Sequence, residues 1–137
     1  MIKPIVTDTE LLCQKSENFI PGEDDHIITD MLDTANAHDN CVGLAAVQIG
    51  HLKRVILVQI KNRFVPFINP VIMKKTGKPY TTTEGCLSLD GCRTTTRYPN
   101  VLVSYTDMSG KRVVKTYTGW TAQIIQHEVD HLNGILI

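Results

Sequence analysis

In the stretch EDDHIITDMLDTANAHDN, apolar side chains fall at Ile27, Ile28, Met31, Leu32 and Ala35. That i, i+1, i+4, i+5, i+8 spacing predicts an amphipathic helix, with Asp24 or Asp25 as its cap and as favourable charge at its N-terminus. RVILVQI is rich in β-branched residues and predicts a strand. FVPFINPVIMKK carries Pro66 and Pro70, so only edge or bulged strand pairing is expected there. NVLVSYTDMSGKRVVKTY reads as a hairpin, two β-rich runs around a turn holding Asp107, Ser109 and Gly110. TGWTAQIIQHEVDHLNG reads as a second helix, with Thr118 or Thr121 as its cap and Gly134 as its stop. Residues 1–22, broken by Pro4, Pro21 and Gly22, read as irregular, and CVGLAAVQIG is a small, apolar segment closed by Gly50. Helix, several strands, helix is the order of an α+β fold. No repeat, low-complexity tract or linker divides the chain.

A chain of 137 residues is enough for one domain with a real core and no staples. Lys+Arg and Asp+Glu both number 14, so no net charge points to nucleic acid or an anionic membrane. No apolar run approaches the ~18 residues of a spanning helix, and the N-terminus has no leader pattern. These features point to a cytoplasmic enzyme or binding protein. The four cysteines, Cys13, Cys41, Cys86 and Cys92, have no paired C-x-x-C spacing. In that compartment each is expected as a buried apolar residue, a reactive thiol or a metal ligand rather than half of a disulfide.

The last predicted helix changes the picture. His127 and His131 lie one turn apart on one face, with Ile124 on the same face, and can bind one metal together. Glu128 is turned about a quarter of the way round, where it can reach a water on that metal without ligating it. A catalytic metal of this kind takes a third protein ligand and keeps an open position. Metzincins place that ligand six residues past the second His, here Ile137, the last residue, so an upstream ligand is expected. The candidates are His26, His38, His51, an acidic residue or a cysteine. Cys86, after Gly85 in TTTEGCLSLDG, is the strongest of them.

Three segments, GLAAVQ at Gly43–Gln48, EGCLS at Glu84–Ser88 and HEVDH at His127–His131, resemble the signature motifs of peptide deformylases, in that family's order and with similar separations. The similarity extends over essentially the whole chain. It implies an α+β fold with small mixed or antiparallel β-sheets packed around a C-terminal metal-binding helix, and with an N-terminal helix, as a single catalytic domain over 1–137. It implies Cys86, His127 and His131 as the metal ligands and Glu128 as general acid/base. Gln48 and the backbone N–H of Leu87 would be donors to the carbonyl oxygen under attack. The implied cofactor is one divalent metal, Fe2+ in the cell, with Zn2+, Ni2+ or Co2+ able to take the site. The implied reaction is hydrolysis of the formyl group from N-terminal formylmethionine of nascent polypeptides, with water activated by the metal attacking the formyl carbon. N-formylmethionyl peptides are the implied partners, with room for the ribosome as a docking partner and none for a membrane or direct nucleic-acid binding.

The substrate side chain, an unbranched thioether, calls for an apolar pocket. Val42 and Gly43 are candidate walls, as are Ile124 and Trp120, one and two turns before His127. Ordinary core packing is the competing reading for Ile124 and Trp120. Arg93 falls where related proteins carry an arginine, and is expected to bind substrate backbone, pair with Glu84 or stay solvated. The sequence departs from the family pattern at Cys41, where a glycine is usual, at LDGC, where a proline is usual, and at Ile137, where many members continue. Cys41 is expected at the rim of the cleft, because His38, Asp39 and Asn40 read as an exposed turn. Competing functions are a structural metal protein with Cys92 as a fourth ligand, a metal-dependent peptidase acting on unformylated peptides, and a diverged homologue with low activity.

Overall fold

The structure is a computed structural model describing all 137 residues. The first predicted helix is present, after a short turn of helix in the N-terminal segment. We number these α1 (Thr9–Leu12) and α2 (Asp25–Asn36). Asp24 occupies the N-cap position of α2, but its carboxylate accepts the Ile20 N–H at 2.8 Å instead of capping the helix. The strands follow as β1 (Gly43–Ala45), β2 (Val55–Ile60), β3 (Arg63–Thr76), β4 (Tyr80–Gly85), β5 (Cys92–Arg97), β6 (Asn100–Thr106) and β7 (Arg112–Thr118). A 3-10 turn, Ala46–Ile49, follows β1, and Gly50 closes it at φ 93°. The chain then forms the last helix, α3 (Gly119–Leu132). No helix is long and apolar enough to cross a membrane.

Five strands form one antiparallel sheet in the order β1-β2-β3-β6-β7, and β4 and β5 form a separate antiparallel pair. β2 explains how the sheet is covered. Its successive residues point to opposite faces, and the first four are all buried. Ile56 and Val58 join Phe67, Ile124, Ile125 and Leu132 in a core under α3. Val55 and Leu57 join Ile27, Ile28, Met31 and Leu44 in a second core under α2. The two helices therefore sandwich the β1-β2 end of the sheet, and α3 lies directly against β1.

β3 is bulged, as its prolines require, but it is the third strand of five and not an edge. Pro66 sits in the half that pairs only with β2, so its missing N–H breaks no second ladder. The register with β6 shifts between Ile68 and Val71 and again between Ile72 and Lys74. Asn69 takes a left-handed conformation (φ 49°) beside Pro70, and its side chain exchanges two hydrogen bonds with the Phe19 backbone at 2.8 and 3.0 Å.

α3 ends as its sequence predicts. Gly134 is left-handed (φ 75°), its N–H donates to the His131 carbonyl at 3.2 Å, and Ile135 N–H donates to Asp130 at 3.0 Å. That is a Schellman arrangement. The Leu132 carbonyl is taken by Ser16 N–H (2.8 Å) and by the Arg54 guanidinium (3.1 Å), which places positive charge at the negative end of the helix. Thr118 stands at the N-cap position without a side-chain cap bond. A Cβ on Gly134 would strike the Cys13 carbonyl, besides being strained at that φ. Gly134→Ala is therefore expected to cost more than about 1 kcal/mol, read as a lower urea midpoint with an unchanged denaturant slope.

Candidate active site

Three elements meet over the β1 end of the sheet. α3 contributes His127, Glu128 and His131, all buried. The 3-10 turn contributes Gln48, and the segment after β4 contributes Cys86 and Leu87. Cys86, His127 and His131 bring one sulfur and two ring nitrogens within 4.8 Å of one another. The Nε2 atoms of the two histidines face each other at 3.2 Å. His127 Nδ1 is committed to Glu84 Oε1 at 2.8 Å, which leaves its Nε2 as the free donor. His131 Nδ1 is buried with no partner.

The surrounding charges favour a cation between these donors. Burial acts to lower the His127 pKa, but the Cys86 sulfur and the Glu84 carboxylate outweigh it and push it up to about 10. His131 lies among the same donors without such a carboxylate contact, and burial pulls it down to about 3. The Cys86 sulfur and the two facing Nε2 atoms are the donors that would hold a divalent cation, once His127 gives up its proton. The donor set fits a soft or borderline metal of the iron or zinc kind. Glu128 is 4 % exposed, and burial pushes its carboxyl up to about 7. Its Oε1 has no hydrogen-bond partner within the chain.

Glu128 is squeezed because α3 runs so close to β1. A Cβ on Gly43 would lie 2.6 Å from Glu128 Oε2 and 2.8 Å from Ile124 Cγ2. The glycine of the GLAAVQ segment thus makes room for the acid. Gln48 accepts the Ala45 N–H at 2.9 Å, which turns its amide nitrogen toward Ser88 Oγ (3.3 Å) and Cys86 Sγ (3.7 Å). Ser88 N–H also donates to that sulfur at 3.2 Å. Gly43, Gln48, Cys86, His127 and Glu128 line a cavity of about 600 Å³, the size of a site for a small ligand or peptide side chain.

The family model for polypeptide deformylase matches residues 2–137. This chain belongs to the polypeptide deformylase family. A curated peptide deformylase from Clostridium beijerinckii is 50 % identical over 138 residues, covering all of both chains. Among solved structures, the peptide deformylase of Thermotoga maritima superposes with a TM-score of 0.90 at 29 % identity, over 99 % of this chain and 95 % of that one. The actinonin-bound class I type b peptide deformylase of Acinetobacter baumannii superposes with a TM-score of 0.89 at 31 % identity, over 99 % and 95 %.

Within this deformylase fold, the candidate walls Val42, Gly43, Ile124 and Trp120 line the cavity, and so does Leu87. Ile124 is also core, at 3 % exposed, whereas Trp120 is 60 % exposed and stands at the mouth. Arg93 is not among the lining residues, and its guanidinium reaches the Asp90 carbonyl at 3.4 Å. Of the three alternatives for Arg93, pairing with Glu84 is ruled out: the partner of Glu84 is Arg97, which the sequence reading missed. Glu84 and Arg93 are cross-strand neighbours in the β4–β5 ladder, but Arg97, four residues on, turns its buried side chain to the carboxylate. Arg97 Nη2 donates to Glu84 Oε1 at 2.7 Å and Nη1 to Asp130 Oδ2 at 2.6 Å. Burial alone would raise the Glu84 carboxyl, but the bonds from His127 and Arg97 hold it down at about 2. Cys92 is exposed and stands outside the donor group.

Cys41 lines the cavity as its expected place at the cleft implies, but its thiol is not the accessible rim group expected. It is 4 % exposed, packs in the α2 core and donates its S–H to the Gly43 carbonyl at 3.3 Å. The polar run before it is an exposed turn, but the chain dives under α2 at Cys41 itself. Burial pushes its thiol up to about 11. Mild iodoacetamide is therefore expected to modify the exposed Cys13 and Cys92 and to spare Cys41 until urea unfolds the protein. Peptide mapping by mass checks this. Arg97→Met leaves Glu84 and Asp130 without their cation. Breaking a buried pair this way is expected to cost about 3–5 kcal/mol, measured by thermal or urea unfolding.

Proposed function

We propose that this chain hydrolyses the formyl amide of N-terminal formylmethionine on newly made polypeptides, with residues 1–137 acting as one catalytic domain. The observation that carries the reading is the convergence of Cys86, His127 and His131 within 4.8 Å, beside a buried Glu128, in a cavity of a deformylase-family chain. Cys86, His127 and His131 would hold one divalent cation, which we assign as Fe2+ with Zn2+, Ni2+ or Co2+ as substitutes. When bound, the cation polarises a carbonyl and lowers the pKa of water from about 15.7 to about 7.

Glu128 takes the proton of the attacking water and returns it to the leaving amine. Its burial supports both halves of that task, since a carboxyl held at about 7 gives up and accepts a proton near neutrality with little bias. Gln48 presents its amide N–H to the carbonyl oxygen as that oxygen gains charge. Its Oε1 is already fixed by Ala45, so the donor is aimed before substrate arrives. The Leu87 N–H, next to the sulfur-bearing residue and absent from the backbone pairings, supplies a second donor. Val42, Gly43, Ile124 and Trp120 border the space for the methionine side chain, which opens to solvent at Trp120. A peptide deformylase from Acinetobacter baumannii, 29 % identical, has been solved bound to Met-Ala-Ser. The same class of peptide fits this reading.

Anaerobically purified, iron-loaded protein is expected to release formate from a formyl-Met-Ala-Ser peptide and to leave the unformylated peptide intact. Absence of formate overturns the function, and cleavage of the free peptide favours a peptidase. Glu128→Ala is expected to keep one cation per chain while turnover falls about 10²–10⁴-fold. Loss of the cation in that variant, by elemental analysis, would make Glu128 a ligand instead.

A further inference from the structure

The Glu84 carboxylate fixes which His127 nitrogen is left free, through the 2.8 Å bond from Oε1 to Nδ1. What fixes Glu84 is less local. Arg97 holds it from one side with a fork, Nη2 donating to Oε1 at 2.7 Å and Nε to Oε2 at 3.0 Å. The other partner of Oε2 is Gln123, whose Nε2 donates at 2.9 Å. Gln123 Oε1 in turn accepts the Tyr80 hydroxyl at 3.1 Å. A chain of hydrogen bonds thus runs Tyr80–Gln123–Glu84–His127, from the start of β4 to the donor set.

Each link follows from local geometry. Tyr80, Thr82 and Glu84 alternate onto the less exposed face of β4. Gln123 lies one turn before His127, so the face of α3 that meets Glu84 also meets Tyr80. An ionised carboxylate only accepts, so the amide nitrogen of Gln123 has to face Glu84. Its oxygen then faces away, where the Tyr80 hydroxyl donates. The terminal torsions of Glu and Gln are broad wells. Such groups keep one orientation only where partners hold both ends.

We propose that Gln123, held by Tyr80, is a positioning residue for the metal centre: as the second partner of Glu84 Oε2, beside the Arg97 fork, it helps hold the carboxylate in the rotation that orients the His127 ring. This rests on the reading of His127 as a ligand. Partners of a ligating histidine typically contribute 10–100-fold to metal affinity, and Gln123 acts one bond further out. An effect of about tenfold, at the low end, is therefore expected.

The test uses the full chain loaded with Co2+. Gln123→Met keeps the length of the side chain and removes both polar atoms. Tyr80→Phe removes one oxygen from a residue that does not line the cavity. Both variants are expected to lose cobalt to a chelator about tenfold faster and to shift the visible cobalt bands. Tyr80→Phe should add nothing in the Gln123→Met background, since both cut one chain. Wild-type retention and bands in both variants would overturn the proposal while leaving the function standing. So would additive effects in the double variant. Failure of the wild type itself to hold cobalt would overturn the ligand reading and the proposal together.

Discussion

The Glu84 carboxylate is the constraint on which the site depends. The donors of the Cys86, His127 and His131 group come from two elements that share no backbone ladder. Cys86 follows β4, which pairs only with β5, while His127 and His131 ride on α3 over the five-stranded sheet. What ties the hairpin to the helix near the donors is Glu84, which takes bonds from Arg97 on β5 and from Gln123 and His127 on α3. Arg97 then reaches across to Asp130 on the same helix. One buried carboxylate, a second that is half-buried and a buried guanidinium are costly to desolvate, and such clusters are weak sources of net stability. Their use here is geometric. They set the distance from sulfur to imidazoles and leave Nε2 of His127 facing the gap.

The rest of the fold holds α3 in place beneath that bridge. One end is fixed by the Schellman turn at Gly134 and by Arg54 and Ser16 on the Leu132 carbonyl. The middle is fixed by Ile124, Ile125 and Leu132 packing on the β2 face formed by Ile56 and Val58. A buried apolar face tolerates little sliding, because any shift opens voids in a closely packed interior. Rigidity of this kind is what a site needs if its donors are to be aimed before substrate binds.

Much of this was legible in the sequence, and the failures have physical causes. The period of α2 and α3, the hairpin at β6–β7 and the stop at Gly134 depend on neighbours a few residues apart, and they appear as read. The donor group was legible because His127 and His131 share one helical turn and Cys86 stands in a motif. The β4–β5 pair was not read as a hairpin, because TTTEG and CRTTTR are polar and alternate threonine with charge. Nothing in them marks a buried face. Arg97 was missed for the same reason: only packing against α3 shows that it, and not Arg93, turns inward. Cys41 does line the cavity, but its burial was missed because an exposed turn was extended by one residue. The prolines of β3 correctly demanded irregularity, but local sequence could not tell a bulge inside a sheet from an edge.

The departure of the site from ordinary core packing is confined to one approach, that of α3 to β1. Gly43 faces α3 from the same side of the sheet as Ile56 and Val58, since paired residues of β1 and β2 share a face. Any side chain there would occupy the place of Glu128 Oε2. The same approach strips water from the acid and leaves its Oε1 unpaired, which is the cause of its raised pKa. The absence of a Cβ at position 43 and the proton affinity of Glu128 are therefore one feature seen from two elements. A carboxyl set at the surface of α3 would be solvated and ionised near its ordinary value. Burial without the glycine would leave no room for it. The helix spacing places Glu128 next to a ligand, and the strand opposite decides what kind of acid it becomes.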